Sequence, residues 1–152
     1  MKHYKKPSIP KFSKLVSQTG EEVLGLAQQG VRQVAEDARD KLVEGIKEQV
    51  FQSFRQFPLA DETVARKERL GLDGRVMMAT GHYVNSIKVV QEDENTFRVG
   101  FEEGEKAVDE QGRPVDIELD QVARAHEFGT STLPARPHWR PVFDEIKRKT
   151  LK

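Results

Sequence analysis

The chain reads as an α+β fold: a long N-terminal amphipathic helix, a small antiparallel sheet, and short helices packed on one face. Three observations carry that reading. Apolar residues from Ala27 to Phe57 recur at steps of three or four, the spacing of one buried helical stripe. From Ile87 to Phe101 apolar and polar residues alternate instead, as half-buried strands do. Beyond Asp120 helical spacing returns in two short stretches, one on each side of a proline-rich turn.

The first helix is predicted over 19–57. Thr19 and Glu22 have capping-box spacing, and the acids Glu21 and Glu22 suit a helix start. Its stripe is Ala27, Val31, Ala35, Ala38, Leu42, Ile46, Val50, Phe54 and Phe57, with Arg32, Asp37, Asp40, Glu44 and Lys47 among the solvated positions between. Pro58 stops it. Gly25, Gly30 and Gly45 each weaken such a helix by up to about 1 kcal/mol, and a hairpin broken near Gly30 is the competing arrangement. A helix of that length exceeds what a small domain covers, so part of the stripe is expected to pack on another copy or a partner.

Residues 61–75 are polar, a short helix closing at Gly71 and a loop through Gly74. Ile87 and Val89, then Phe97, Val99 and Phe101, flank the turn EDEN (92–95) and make two strands. The segment 102–120 holds eight acids, with a turn at Gln111–Pro114 and a third strand near Val115–Leu119. Asp120 is the expected cap of a short helix, DQVARAHEF, closed by Gly129. Pro141 belongs in the first turn of a last helix that buries Val142, Phe143 and Ile146.

The length of 152 residues fits an arm over 1–14 and one α+β domain over 15–152, with the sheet and short helices in 76–152. The arm carries five lysines, no acid and two prolines, so it is expected to be extended, with Lys2, Lys5, Lys6 and Lys11 available to a partner. No cysteine is present, which excludes disulfides and thiolate metal sites. The formal net charge is zero, against the basic excess usual in proteins that grip nucleic acid. No apolar run approaches the roughly 20 residues that span a bilayer, and no apolar stretch follows the N-terminal lysines as in a signal peptide. A soluble intracellular product with no membrane partner is expected.

Catalytic and metal chemistry find no pattern here. His126-Glu127 begins like HExxH, but position 130 is Thr130, and His138 lies beyond the prolines. The carboxylates sit in solvent-type runs, Glu127 excepted, and Glu127 reads first as a salt-bridge or cap partner. There is no GxSxG and no phosphate-cradling glycine loop. The expectation is therefore no enzyme, no catalytic residue, no metal and no cofactor. A DNA-contacting accessory role is the alternative. It would use the basic arm and the C-terminal helix, since from position 121 seven bases outnumber three acids around Trp139 and Phe143.

The stretch ARAHEFGTSTLPARPHWRPVF (123–143) has the composition of a joint. Pro134, Pro137 and Pro141 stiffen it, Arg136 and Arg140 offer forks for carboxylates, and Trp139 is an anchoring type. Arg136 is expected to bridge to Glu127 or to a neighbour. The same residues resemble the ending of a bacteriophage neck and tail-completion family, the "gene product ten"-like head–tail joining proteins of lambdoid phages. That ending reads A-x-x-x-E-F-G-T, then P-A-R-P-(aromatic)-x-x-P, and an earlier T-G-x-L-x-x-S-I element is matched here by Thr80-Gly81-His82-Tyr83-Val84-Asn85-Ser86-Ile87. The usual leucine is displaced to Tyr83 or Val84, and the aromatic that usually follows the proline directly is shifted by one, to Trp139 after Pro137-His138. The likeness covers roughly residues 76–147.

The resemblance implies a non-enzymatic virion protein at the head–tail junction, made in the host cytoplasm. It would assemble as a ring of itself, six-fold by analogy, against connector, stopper, tail-terminator or tail-tube proteins, with DNA passing through without specific binding. The residues it marks as the joint are Thr80, Gly81, Ser86, Ile87, Glu127, Phe128, Gly129, Thr130, Arg136, Pro137, Trp139 and Pro141. The acidic 102–120 segment lies outside the shared pattern and is expected to face the channel or an adjacent ring.

Overall fold

In the computed structural model, residues 28–150 are described, and they form the elements in order α1–α4, β1–β4, α5 and α6. The arm 1–14, its lysines and the Thr19–Glu22 pair lie outside the described residues. The class is α+β.

Helix α1 (Gln28–Lys47) buries Val31, Ala35, Ala38, Leu42 and Ile46 and leaves Asp37, Asp40, Glu44 and Lys47 in solvent. It does not run to Pro58. The ring of Phe51 lies so close to Gly45 that a Cβ there would sit 2.5 Å from its tip, and Gln49 adopts a left-handed φ of 56°. The Gln49 amide holds the break, donating to Ile46 O (2.6 Å) and Val76 O (2.9 Å) while its oxygen accepts Val76 N–H (2.9 Å). The chain restarts as α2 (Gln52–Gln56). Phe51 and Phe54 thereby enter the core, while Val50 and Phe57 remain 47% and 38% exposed.

The stripe from Val31 to Ile46 is covered by this chain's own strands and last helix. The expected surplus stripe is therefore absent over that span.

Helix α3 (Asp61–Arg69) has acids in its first turn and bases in its last, as its dipole favours, and the chain leaves it at Gly71. After the loop, α4 (His82–Asn85) is a single turn that delivers Tyr83, Val84 and Ile87 to the core. Strands β1 (Lys88–Asp93) and β2 (Thr96–Gly100) then pair antiparallel, with Asp93 Oδ1 accepting Asn95 N–H in the turn. Phe97 and Val99 face inward and meet α1.

The acidic segment forms a second hairpin, β3 (Lys106–Val108) with β4 (Pro114–Glu118). The strand expected near Val115–Leu119 therefore belongs to a separate two-stranded sheet. The Asp109 carboxylate closes its turn by accepting the N–H groups of Gln111 and Arg113. Helix α5 (Leu119–Phe128) follows at once, and its cap is Glu118, whose N–H donates to Gln121 Oε1 (2.8 Å), not Asp120. Helix α6 (Trp139–Thr150) carries Pro141 in its first turn and buries Val142, Phe143 and Ile146, as the spacing predicts.

Candidate functional site

The three stretches that carry the motifs meet at the start of α6. Glu127, in the last turn of α5, is buried and acts as a cap borrowed from another helix. Its Oε1 accepts the N–H groups of His138 and Trp139 at 2.9 Å, and its Oε2 accepts that of Arg140 at 3.2 Å. Three of the donors that a helix N-terminus leaves unpaired are thus satisfied by one carboxylate, which the dipole also favours. The expected Arg136–Glu127 bridge does not form, because these backbone donors occupy the carboxylate. Arg136 instead donates through Nε to Phe57 O (2.6 Å).

Beside this cap runs a chain of buried polar groups. Trp139 Nε1–H donates to the Tyr83 hydroxyl at 2.9 Å, and that hydroxyl lies 2.7 Å from His138 Nε2. His138 Nδ1 lies 2.8 Å from Arg136 O, which can only accept. The ring is therefore the Nδ1–H tautomer, and the Tyr83 hydroxyl donates to Nε2. Burial holds His138 neutral, lowering its pKa to about 4 against the opposing pull of the Arg136 carbonyl, and burial pushes the Tyr83 phenol up. The rings of Tyr83, Phe101, His138, Trp139 and Phe143 stack edge-on or tilted around the chain.

The turn between α5 and α6 depends on close backbone approach. Gly129 has φ 75° and ψ 169°, and a Cβ there would lie 2.8 Å from Ala135 N. Thr130 is exposed and accepts the N–H of Leu133 at Oγ1 (3.1 Å). Pro137 O accepts the Ser53 hydroxyl at 2.7 Å, which fastens the turn to α2. Phe128 is half-buried, with the Arg140 guanidinium 5.9 Å from its ring centre. Thr80 Oγ1 accepts His82 N–H (3.2 Å) next to Gly81 at the start of α4, and Ser86 and Ile87 are buried.

Most of the predicted joint is thus brought together, but as interior. Arg136 and Trp139 are 4% and 1% exposed, and only Thr80, Thr130 and Pro141 of the twelve stand in solvent. The signal for Tyr83 was its place in the T-G element, and nothing local marked His138 or Ser53. Among the described residues no three His, Asp or Glu side chains gather as metal ligands, and no helix is long and apolar enough to cross a membrane.

Beside this cluster a groove of about 650 Å³ lies between α2 and the start of α6, with apolar walls from Val50, Phe57, Pro137, Pro141 and Val142 and polar ones from Gln52, Ser53, Gln56 and Glu145. In comparisons with protein-family models, curated proteins and solved structures, nothing matches this chain.

Proposed function

We propose that the protein is a structural component of the neck of a tailed bacteriophage, completing the tail and joining it to the capsid as one subunit of a ring. The observation that carries this reading is the convergence of the three resembling segments. Tyr83 of the T-G element, Glu127 of EFGT and Trp139 of the proline cluster share one buried hydrogen-bond system. Residues that the resemblance groups by order in the chain thus act as one physical unit, which presents the α2–α6 groove. Val50 and Phe57, which line it, are two of the four large apolar side chains left exposed among the described residues, Leu70 and Ile117 being the others, and a subunit contact at the groove would cover them. With α1 already covered by its own chain, this groove takes the place of the surplus stripe as the ring contact.

Light scattering across a concentration series, with class-averaged electron micrographs alongside, tests the proposal. Closed rings of one symmetry are expected, formed alone or on isolated tails. A protein that stays monomeric at every concentration and leaves separated heads and tails unjoined would refute it.

The second reading is a DNA-contacting accessory protein, favoured by the exposed Lys147 and Arg148 in the last turn of α6. It requires duplex binding that weakens steeply as salt rises, measured by fluorescence anisotropy on a labelled duplex.

A further inference from the structure

A cavity of about 270 Å³ opens between α3, the loop leading into α4, β3 and α5. Its ionisable lining side chains are Lys67, His82, Tyr83, His126 and Arg136, with no carboxylate among them. Arg136 is 4% exposed, and its Nη1 has no hydrogen-bond partner; His126 Nδ1 is likewise buried and unpartnered. A guanidinium keeps its proton under any condition a protein survives. Buried unpaired, it carries a desolvation penalty that a counter-ion would offset.

Among the described residues no carboxylate forms an ion pair with Arg136, and burial is the one cause that lowers its pKa. Asp73 is held by the Arg75 guanidinium and backbone N–H, and Glu110 is paired with Arg66. The lining of the cavity is thus cationic or neutral, while Asp73 acts on Lys67 and Glu127 and Asp120 act on Tyr83 from outside that lining. Burial above all, then the adjoining His138 ring and the charges of Arg136 and Lys67, disfavour a proton on His126 and lower its pKa to about 4. Burial chiefly depresses Lys67, with Asp73 opposing and Arg136 adding. The remaining walls are apolar, including Leu59, Val76, Val108 and Val122.

We propose that this cavity binds a carboxylate on a short aliphatic stem. The Arg136 guanidinium and the His126 Nδ1–H take the two oxygens, Lys67 screens the mouth, and the apolar walls take the stem. One permanent buried charge matches a monoanion, and a planar fork matches a carboxylate. The carboxylate belongs either to a free small acid or to a glutamate side chain of a partner protein. The inference stands apart from the assembly reading, since the cavity and the α2–α6 groove have different linings.

The test is a titration of the ¹⁵N-labelled full chain at constant ionic strength, following the Arg136 Nε–H and His126 ring signals. The titrants are butyrate, a capped tripeptide with a central glutamate, phosphate and chloride. Saturable shifts with butyrate or the peptide are expected, and the tighter of the two names the source.

Arg136→Met should weaken binding at least about tenfold, the worth of a charged hydrogen bond. Because that change also removes the bond to Phe57, Val122→Phe provides an independent check: it keeps Arg136, fills the cavity, and should abolish the shifts with the rest of the spectrum intact. The proposal is overturned by no saturation with either carboxylate up to about 100 mM, a concentration at which even weak specific sites fill. Equal responses to chloride and phosphate, or undiminished binding by Val122→Phe, would overturn it as well.

Discussion

The indole N–H of Trp139 donates to the hydroxyl oxygen of Tyr83 at 2.9 Å. The bond ties the first residue of α6 to the single helical turn before the sheet, across 56 positions of sequence. It passes on through the same hydroxyl to His138 and ends on the Arg136 carbonyl. Every link is buried, so no member can be lost without leaving a partner unsatisfied.

Tyr83→Phe keeps the ring contacts but strips both Trp139 Nε1 and His138 Nε2 of their partner. Each buried unsatisfied group costs about 1–3 kcal/mol. Urea unfolding followed by Trp139 fluorescence should therefore show a loss of roughly 2–4 kcal/mol. A loss within error of zero would mean that the relay has no energetic role.

Glu127→Gln and Glu127→Ala separate charge from hydrogen bonding at the cap. The amide retains one acceptor and should destabilise by about 1–2 kcal/mol. Alanine leaves three N–H groups orphaned beside a buried cavity and should cost about 3 kcal/mol or more. Equal effects of the two changes in thermal unfolding would contradict the capping role.

Gly129→Ala places a Cβ 2.8 Å from Ala135 N at a φ of 75°. That backbone region is essentially glycine's own, and about 1–3 kcal/mol of strain is expected. The check is a thermal melt, with Gly104→Ala as the control. Gly104 also has a positive φ but open space around it, so its substitution should cost less.

Stability should fall as the solution is acidified between the unfolded and folded values of the buried histidines. His138 titrates at 6.5 when unfolded and about 4 when folded. Over that interval the unfolded chain binds the extra proton, and stability declines with falling pH by about 3 kcal/mol from this group. His126, lowered to about 4 by burial and nearby bases, adds in the same direction. His138→Gln should flatten the urea-midpoint profile between pH 6.5 and 4, whereas an unchanged slope would assign the acid sensitivity elsewhere.

Phe57→Asp sets a charge at the rim of the α2–α6 groove, where the side chain is 38% exposed. Folding should be nearly untouched, within about 0.5 kcal/mol for an exposed site, while the proposed rings should fail to form in light scattering. Rings that persist in this variant would move the subunit contact to another face.

Local signals served well wherever a short stretch carried its own reason. The EDEN turn, the Gly129 stop, Pro141 in the first turn of α6 and the inward face of Val142, Phe143 and Ile146 follow from spacing and turn chemistry alone. The α1 stripe is equally plain as far as Ile46. Past that point periodicity misleads, because Val50 and Phe57 keep the helical step while the backbone has already turned at Gln49. The interaction that turns it joins Gln49 to Val76, 27 residues on.

The candidate site divides along the same line. Its residues were legible as a group, since the stiff proline cluster and the EFGT and T-G elements stand out from charged surroundings. Their roles were not: Arg136 bonds to Phe57 O rather than Glu127, and Glu127 serves a helix whose first residue lies twelve positions beyond it.

The α+β class, the α1 stripe as far as Ile46, the β1–β2 hairpin and the inward face of α6 were legible in the chain alone, because propensity, capping and hydrophobic period act over a few residues. Where α1 ends, which carboxylate caps α6, and the burial of Arg136 with its Nη1 unpartnered are set by contacts between distant parts of the chain. Those outcomes depend on which distant groups compete for the same hydrogen bond once water is excluded, and that competition exists only in the packed chain.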